Sequence, residues 1–292
     1  MGAITLRQLV YGAERRLSPS LGQGEARAMV GIIMESLKGY RPVDVVMHAG
    51  DEVTPWLESQ VDGIIGRVLD GEPLQYVLGV ARFMGNDYAV TPDTLIPRPE
   101  TAEMVDMVAG RNGGRTDLRV LDIGTGSGCI AISLARALKF AQIDAVDISK
   151  AALEVAAENA RRLKAGVRFI EMDILSQTPP SAPVYDIIVS NPPYIALGEE
   201  PSMDRRVVDH EPHRALFVPD SDPLVFYHAI AGYAAGALVP GGQLYVELNP
   251  LFASEVAGLF SAAGFAGVEL HRDYCGRVRF ATAVKEGGGQ WR

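Results

Sequence analysis

Hydrophobic residues recur at every third or fourth position through about the first 70 residues, which is the spacing of one face of a helix. Leu6 and Leu9 begin the first such series, and similar series pass through Ile32 and Ile64. This pattern predicts an all-helical N-terminal domain over residues 1–78.

The pattern changes at residue 79. Residues 79–95 hold short alternating segments separated by Gly-Asn and Pro-Asp turn signals, which predicts a β-hairpin linker. Beyond the linker, apolar strands alternate with helical segments, an order typical of an α/β domain with a parallel sheet between two layers of helices. The predicted parallel strands are 119–123, 142–146, 167–172, 185–190 and 243–248.

The last two predicted strands, 266–271 and 277–284, are too close in sequence for a helical crossover, so we expect them to pair antiparallel. The sequence thus predicts an α/β domain over residues 96–285 and a flexible tail over residues 286–292. In such sheets ligands bind at the carboxyl ends of the strands. The loops that follow the strands are therefore the first place to search for a site.

The charge of the chain disfavours a nucleic-acid partner. Lys and Arg number 27 against 36 Asp and Glu, and a net charge of −9 repels phosphate backbones. The first 80 residues carry 7 basic and 10 acidic side chains, so the helical domain lacks the basic stripe of a DNA reader. No stretch approaches the roughly 18 apolar residues of a membrane helix, and the two cysteines, Cys129 and Cys275, fit a reducing compartment. We expect a cytoplasmic monomer with neither a membrane nor a nucleic-acid partner.

A glycine-rich segment runs from the first predicted strand of the sheet into a helix. Its residues are Gly124, Thr125, Gly126, Ser127 and Gly128. A loop without bulky side chains turns sharply and lets a ligand contact its backbone. Its G-x-G-x-G spacing departs from the dinucleotide fingerprint, because Cys129 replaces the third glycine, and it is similar to the S-adenosyl-L-methionine (AdoMet) loop of class I methyltransferases. Asp122, just before the glycines, is expected to hold the loop or an ammonium group of the ligand.

Carboxylates follow the next two predicted strands. Asp147 lies 19 residues after Gly128, about where an acidic side chain accepts hydrogen bonds from both hydroxyls of a ribose. Its alternative role is to cap the helix that begins near Lys150. Asp173 is expected to bind the amino group of an adenine, with Ile174 covering the ring, or else to be a turn residue.

The most informative segment is Asn191, Pro192, Pro193 and Tyr194, after the fourth strand. Two prolines remove two backbone N–H donors and hold the residues before them extended. The side-chain oxygen of Asn191 and the carbonyl of Pro192 can therefore each accept a hydrogen from one planar NH₂ group, beside the aromatic face of Tyr194. An amide or base nitrogen is a poor nucleophile, so positioning supplies most of the catalysis. We predict that Asn191, Pro192 and Tyr194 are catalytic, that Pro193 also contacts the substrate, and that Asn191 borders the cofactor.

The Asn-Pro-Pro-Tyr segment resembles a motif shared by adenine-N6 DNA methyltransferases, some rRNA guanine-N2 methyltransferases and protein glutamine-N5 methyltransferases. Three further segments, residues 72–76, 94–101 and 272–279, resemble the HemK/PrmC family of peptide chain release factor glutamine methyltransferases. The Ile-Pro-Arg-Pro-Glu-Thr run within the second is the most specific of them. The resemblance covers nearly the whole chain.

The resemblance implies a class I, Rossmann-like methyltransferase domain preceded by a helical domain that engages the release factor. It implies transfer of a methyl group from AdoMet, with S-adenosyl-L-homocysteine as product, to N5 of the glutamine in a Gly-Gly-Gln motif. Residues 124–128, Asp147 and Ile174 are then expected to line AdoMet, and residues 191–194 to hold the glutamine amide. Arg98 and Glu100 are expected to shape the substrate pocket or to form a salt-bridged hinge.

Other interpretations stay open at the level of sequence: a ribosomal-protein glutamine methyltransferase, an amino methyltransferase of a nucleic-acid base, and an AdoMet-binding module without catalysis. His210, Glu211 and His213 have the residue types of a metal site, but histidines in a charged loop are usually solvated, and we expect no metal. The Gly-Gly-Gln that ends at Gln290 is expected to be a coincidence of a glycine-rich tail.

Overall fold

A computed structural model describes residues 4–287 and divides the chain into two units. The residues up to Gly79, together with Arg205–His210, form the helical unit. Val80–Asp204, together with the residues from Glu211 onward, form the sheet unit, which includes the hairpin predicted as a linker. Gln290 and most of the predicted tail lie outside the described residues.

The helical unit is built from amphipathic helices around one core. They are α1 (Leu6–Leu21), α2 (Gln23–Lys38), α3 (Pro42–Met47), α4 (Pro55–Leu69), α5 (Leu74–Leu78) and the short α9 (Arg205–Val208). A capping box begins α1: the Thr5 hydroxyl accepts from the Gln8 N–H, and Gln8 Oε1 accepts from the Thr5 N–H at 2.8 Å. The apolar stripes meet in a core that fully buries Leu17, Ile33 and Ile65.

The sheet unit contains a seven-stranded sheet of order β10-β11-β9-β6-β3-β4-β5. Its strands are β3 (Arg119–Ile123), β4 (Gln142–Asp147), β5 (Val167–Glu171), β6 (Tyr185–Ser190), β9 (Leu238–Glu247), β10 (Phe265–Arg272) and β11 (Val278–Lys285). The five strands from β9 to β5 are parallel, and β11 runs antiparallel to both β9 and β10, which confirms the predicted fold class. Two smaller pairs are β1 (Val80–Phe83) with β2 (Asn86–Ala89), and β7 (Ile195–Ala196) with β8 (Phe217–Val218).

Helices cover both faces of this sheet, so its central strands are apolar on both sides. The helices are α6 (Pro99–Asn112), α7 (Cys129–Ala137), α8 (Lys150–Leu163), α11 (Val225–Ala237) and α12 (Ala253–Ala262). The short α10 (His213–Leu216) contacts β8 instead. Val120 and Ile187 belong to the core on one face, and Leu121 and Ile188 to the core on the other. No helix within residues 4–287 is both long and apolar enough to cross a lipid bilayer.

The strand order places the candidate loops together. β3 lies between β4, which follows it in the chain, and β6, which returns after β5 on the other side. This reversal of direction is the topological switch point at which open parallel sheets bind ligands. The glycine loop follows β3 and the Asn191 segment follows β6, so the two segments meet at the same edge of the sheet.

Two regions differ from the sequence analysis. Helix α6 was not predicted, although Pro99 stands at its first turn and Met104, Val105 and Val108 form a buried stripe. The segment after β6, in which the sequence analysis places no strand, holds β7, a 3₁₀ helix, α9, α10 and β8. These elements have two to six residues each, which is too short for hydrophobic periodicity to identify them.

Candidate functional site

A cavity of about 420 Å³ opens at the carboxyl ends of the parallel strands of the sheet unit. Its wall contains the residues from Gly124 to Ser127 after β3, Asp147 at the end of β4, Asp173 and Ile174 after β5, and the residues from Asn191 to Pro193 after β6. Met172, Phe226 and Ile230 add an apolar side to it. The structure thus brings segments that are more than 60 residues apart in the sequence to one site, as the parallel topology predicts.

The glycine loop is fixed by its own backbone and by the next strand. The N–H of Gly124 donates to the carbonyl of Val146 at 2.9 Å, and the N–H of Gly126 donates to Asp147 Oδ2 at 2.9 Å. Gly128 has a φ of +81°, and a Cβ there would lie 2.9 Å from Ile132 Cδ1. Only glycine permits both this conformation and this close approach of the loop to α7.

Asp147 holds the loop and still faces the cavity. Its Oδ2 accepts from Gly126, and its Oδ1 accepts from the N–H of Ser149 at 2.9 Å. The Ser149 hydroxyl, not Asp147, caps α8 through the N–H of Ala152. Each carboxylate oxygen of Asp147 retains capacity for a second hydrogen bond, so the side chain can accept from two hydroxyls of a ligand.

Asp173 and Ile174 form the next part of the wall. Asp173 Oδ1 accepts from the N–H of Leu175 at 3.0 Å, so this carboxylate does act as a turn residue while it also lines the cavity. Ile174 is buried and lies on the apolar side with Met172. The pair offers a carboxylate acceptor next to an apolar surface, the combination that a planar ring with an amino group requires.

Asp122 lies under the glycine loop and holds it from below. Its Oδ2 accepts from the Thr125 hydroxyl at 2.7 Å and from the N–H of Ala131 at 3.2 Å. The side chain is fully buried, and this burial raises the pKa of Asp122 to about 7. Of the two roles expected for Asp122, the structure shows the contact with the loop, and Asp122 is outside the cavity wall.

The side chain of Asn191 is oriented by a partner to which the sequence analysis assigned no role. Asn191 Nδ2 donates to Thr101 Oγ1, on the first turn of α6, at 3.1 Å. Within the described part of the chain, neither Asn191 Oδ1 nor the carbonyl of Pro192 accepts a hydrogen bond. We call residues 191–194 the Asn191 corner. The Asn191 corner therefore offers two free acceptors beside the cavity that Asn191 and Pro192 line.

A buried carboxylate, Glu247 at the end of β9, lies behind this corner. Glu247 Oε2 accepts from the Thr101 hydroxyl at 2.8 Å, and its Oε1 accepts from the Tyr194 hydroxyl at 3.0 Å. Burial raises the pKa of Glu247 to about 7, and it raises the pKa of Tyr194 well above its ordinary value. Tyr194 is thus a hydrogen-bond donor to Glu247 and is outside the cavity wall. Two sequence features could have pointed to these residues. Thr101 ends the Ile-Pro-Arg-Pro-Glu-Thr run, and Glu247 is an acidic residue in an otherwise apolar strand.

Arg98 pairs with Glu211, and not with Glu100. Arg98 Nη2 donates to Glu211 Oε1 at 2.5 Å, and the N–H of Ile96 donates to Glu211 Oε2 at 3.1 Å. Arg98 lines the cavity, whereas Glu100 does not, so the structure does not form the salt bridge considered between those two residues. Both oxygens of Glu211 are occupied, and residues 4–287 hold no cluster of three or more metal-ligating side chains.

Solved structures share the fold. A methyltransferase from Pyrococcus furiosus matches 76% of this chain and 97% of its own with a TM-score of 0.51 at 18% identity. A 16S rRNA N2 methyltransferase from T. thermophilus, in complex with AdoMet and guanosine, matches 71% of this chain and 50% of its own with a TM-score of 0.52 at 20% identity. These likenesses show a methyltransferase fold.

Sequence relatives are much closer. The model of the methyltransferase small domain matches residues 106–213, and that of the PrmC N-terminal domain matches residues 8–79. The release factor glutamine methyltransferase of Bacteroides thetaiotaomicron is 41% identical over 89% of this chain and 92% of its own length. That of Bordetella pertussis is 40% identical over 90% of this chain and 95% of its own. The chain therefore belongs to the release factor glutamine methyltransferase family.

Proposed function

We propose that this protein transfers a methyl group from AdoMet to N5 of the glutamine in the Gly-Gly-Gln motif of peptide chain release factors. The substrate follows from the family of its relatives, which are named for this reaction. The observation that carries the chemistry is the Asn191 corner. The NH₂ group of Asn191 donates to Thr101, and Asn191 Oδ1 and the Pro192 carbonyl remain as free acceptors. A primary amide offers the two N–H donors that such a pair of acceptors requires.

The cavity wall fits AdoMet by the chemistry of its groups. Asp147 would accept from the ribose hydroxyls, Asp173 from the adenine amino group, and Ile174 would cover the ring. The glycine loop leaves backbone surface for the rest of the molecule, and the buried Ser127 hydroxyl, which has no hydrogen-bond partner among the described residues, is one polar group left for it. When bound, AdoMet supplies an electrophilic methyl group.

The corner would assist the reaction by holding the substrate nitrogen and by stabilising the charge that develops on it. In the ground state, Asn191 Oδ1 and the Pro192 carbonyl accept from the two amide hydrogens and fix the direction of the nitrogen. As the nitrogen gains positive charge, the same two acceptors bind it more strongly, and this difference lowers the barrier. A methylated amide nitrogen is acidic, so its proton can pass to water without a dedicated base.

The helical unit would engage the release factor, because residues 8–79 match the PrmC N-terminal domain and carry no basic stripe for nucleic acid. Release factors act in translation, and we accordingly propose a cytoplasmic enzyme.

The test is a comparison of substrates with labelled AdoMet. A purified release factor, its variant with glutamate in place of the Gly-Gly-Gln glutamine, ribosomal protein, DNA and RNA are incubated separately with the protein. We expect label on the intact release factor alone, mapped by mass spectrometry to that glutamine. Label on ribosomal protein or nucleic acid in preference to the release factor would contradict the proposal.

A further inference from the structure

We propose that Thr101 and Glu247 are positioning residues that set which end of the Asn191 carboxamide faces the substrate. The inference rests on the proposed function, because it concerns how the corner recognises an amide. Asn191 ends in an oxygen and an NH₂ group of nearly the same shape, and only the oxygen can accept a hydrogen from a glutamine amide. Something other than shape must therefore select the orientation.

The hydrogen bonds behind the corner supply that selection. Ionised Glu247 can only accept, and its two oxygens accept from Thr101 at 2.8 Å and from Tyr194 at 3.0 Å. The single hydroxyl hydrogen of Thr101 is thereby committed to Glu247. Thr101 Oγ1 can therefore act towards Asn191 only as an acceptor. Only the NH₂ end of the Asn191 side chain can donate to it, and it does so at 3.1 Å.

The opposite orientation is unfavourable at both ends. With the amide of Asn191 turned by 180°, its oxygen would face the lone pairs of Thr101, and its NH₂ group would face the NH₂ group of the substrate. Thr101 and Glu247 are 2% and 1% exposed, so the unfavourable contact of the turned amide with Thr101 would be almost completely buried. The negative charge of Glu247 thus fixes the polarity of a hydrogen-bond chain that ends at the substrate.

The three residues of this hydrogen-bond network come from separate parts of the sheet unit. The orientation of the Asn191 carboxamide therefore depends on the fold. Thr101 lies on α6, Asn191 follows β6, and Glu247 ends β9. The backbone of the corner is held by Pro192 and Pro193, so the orientation of one side chain is the remaining freedom. Loss of the Thr101 hydroxyl would release that freedom without moving the backbone.

Selectivity for glutamine over glutamate is the expected consequence. Two acceptors attract an amide NH₂ group and repel a carboxylate, whereas a turned Asn191 would donate to a carboxylate. A site built to hydrogen-bond one group rejects an analogue that leaves its polar atoms unpaired. The preference should therefore depend on Thr101 and Glu247, although neither is required to touch the substrate.

The experiment measures this preference directly, at about pH 8, which is above the pKa of about 7 to which burial raises Glu247 and so favours its ionised form. Affinities for the release factor and for its glutamine-to-glutamate variant are measured by calorimetry with S-adenosyl-L-homocysteine present, and kcat is measured with AdoMet. The variants are Thr101→Val, which keeps the shape and removes the hydroxyl, Thr101→Ser, which keeps the hydroxyl, and Glu247→Gln, which can donate to Thr101. Thr282→Val is the matched control, because Thr282 is also a buried, hydrogen-bonded threonine, on β11 and outside the cavity wall.

We expect the unaltered protein to bind the release factor at least about tenfold more tightly than the glutamine-to-glutamate variant. One hydrogen bond with a charged partner allows a difference of this size. Thr101→Val and Glu247→Gln should each reduce this preference to about twofold or less and lower kcat about tenfold. Thr101→Ser should restore most of the preference, and Thr282→Val should keep it.

Failure of the inference and failure of the proposed function give different results. If the unaltered protein methylates the release factor while folded Thr101→Val and Glu247→Gln keep the glutamine preference and kcat, the orientation mechanism is wrong and the function stands. If the unaltered protein does not methylate the release factor, the proposed function is wrong. Glu247→Gln preserves side-chain volume and removes a buried charge, so it tests the mechanism even if Thr101→Val does not fold.

Discussion

Replacement of Asn191 by alanine separates turnover from cofactor binding. The change removes one of the two acceptors of the corner and leaves the other, the backbone carbonyl of Pro192, in place. The hydrogen bond from Asn191 Nδ2 to Thr101 is also lost, but Thr101 keeps its bond to Glu247. We therefore expect the free energy of unfolding to fall by only about 1 kcal/mol, the usual net value of one hydrogen bond.

The effect on turnover should be much larger than the effect on stability. A hydrogen bond to a group that gains charge is worth about 1.5–3 kcal/mol, which corresponds to roughly 10- to 150-fold in rate. Removal of one preorganised group that stabilises transition-state charge typically costs about 10²–10³ in kcat. We expect Asn191→Ala to lower kcat about 100-fold. The affinity for AdoMet should stay close to its original value, because Asp147 and the glycine loop are not altered.

The assay is initial-rate methylation of a release factor at saturating AdoMet, with calorimetry for the AdoMet dissociation constant. Asn112→Ala is the control for the loss of a buried asparagine. Asn112 lies on α6 outside the cavity wall and donates to the carbonyl of Val108 and to Gln243, so its loss should cost stability but not turnover. An Asn191→Ala protein with unchanged kcat, or with equal losses in kcat and AdoMet affinity, would refute the assigned role of the corner.

Three further predictions concern the cofactor side of the site. Asp147→Ala should raise the AdoMet dissociation constant in calorimetry while kcat at saturating AdoMet stays near its original value; the reverse pattern would contradict the ribose assignment. Gly128→Ala, with a φ of +81° and a contact to Ile132, should reduce the free energy of unfolding in urea by about 2–4 kcal/mol, whereas Gly126→Ala, in open space at φ +53°, should cost about 1–2 kcal/mol. Similar losses of stability in the two variants would contradict the argument that a Cβ at residue 128 lacks space beside Ile132. Because burial raises the pKa of Asp122 to about 7, the native state binds more protons than the unfolded chain between about pH 4 and 7, and this residue's contribution to stability falls as pH rises. Asp122→Asn should reduce the fall in the free energy of urea unfolding between about pH 5 and pH 8, and the remaining fall includes the contribution of Glu247, whose pKa burial also raises to about 7. An unchanged fall would contradict the raised pKa of Asp122.

The sheet was predictable because its signals are local. Each parallel strand is a short apolar run between helical segments, and the chain order of strands and helices determines a parallel sheet with its loops at one edge. The glycine loop and the Asn191 segment can be recognised from composition alone. Glycines permit conformations that other residues avoid, and paired prolines restrict the backbone wherever they occur. Both are found on the cavity wall.

The contacts that orient the site were not predictable, because they join residues far apart in sequence. Thr101 lies 90 residues before Asn191, and Arg98 lies 113 residues before its partner Glu211. No periodicity or spacing rule connects such pairs, and the sequence analysis considered the neighbouring Glu100, not Glu211, as a partner for Arg98. Helix α6, which carries Thr101, was itself missed, so the side chain had no predicted position relative to the corner.

A motif that specifies its own backbone can still leave the chemistry undetermined. Asn-Pro-Pro-Tyr fixes a row of acceptors for any planar NH₂ group, which is why the sequence alone left a base and an amide as alternatives. The motif does not determine which end of Asn191 faces the substrate, since that depends on a hydroxyl and a carboxylate contributed by α6 and β9. Nor does it determine the macromolecule that presents the NH₂ group, a choice that we assign to the helical unit. In the mechanism that we propose, recognition is therefore divided among a local motif, the buried partners that orient it, and a separate unit that selects the protein substrate.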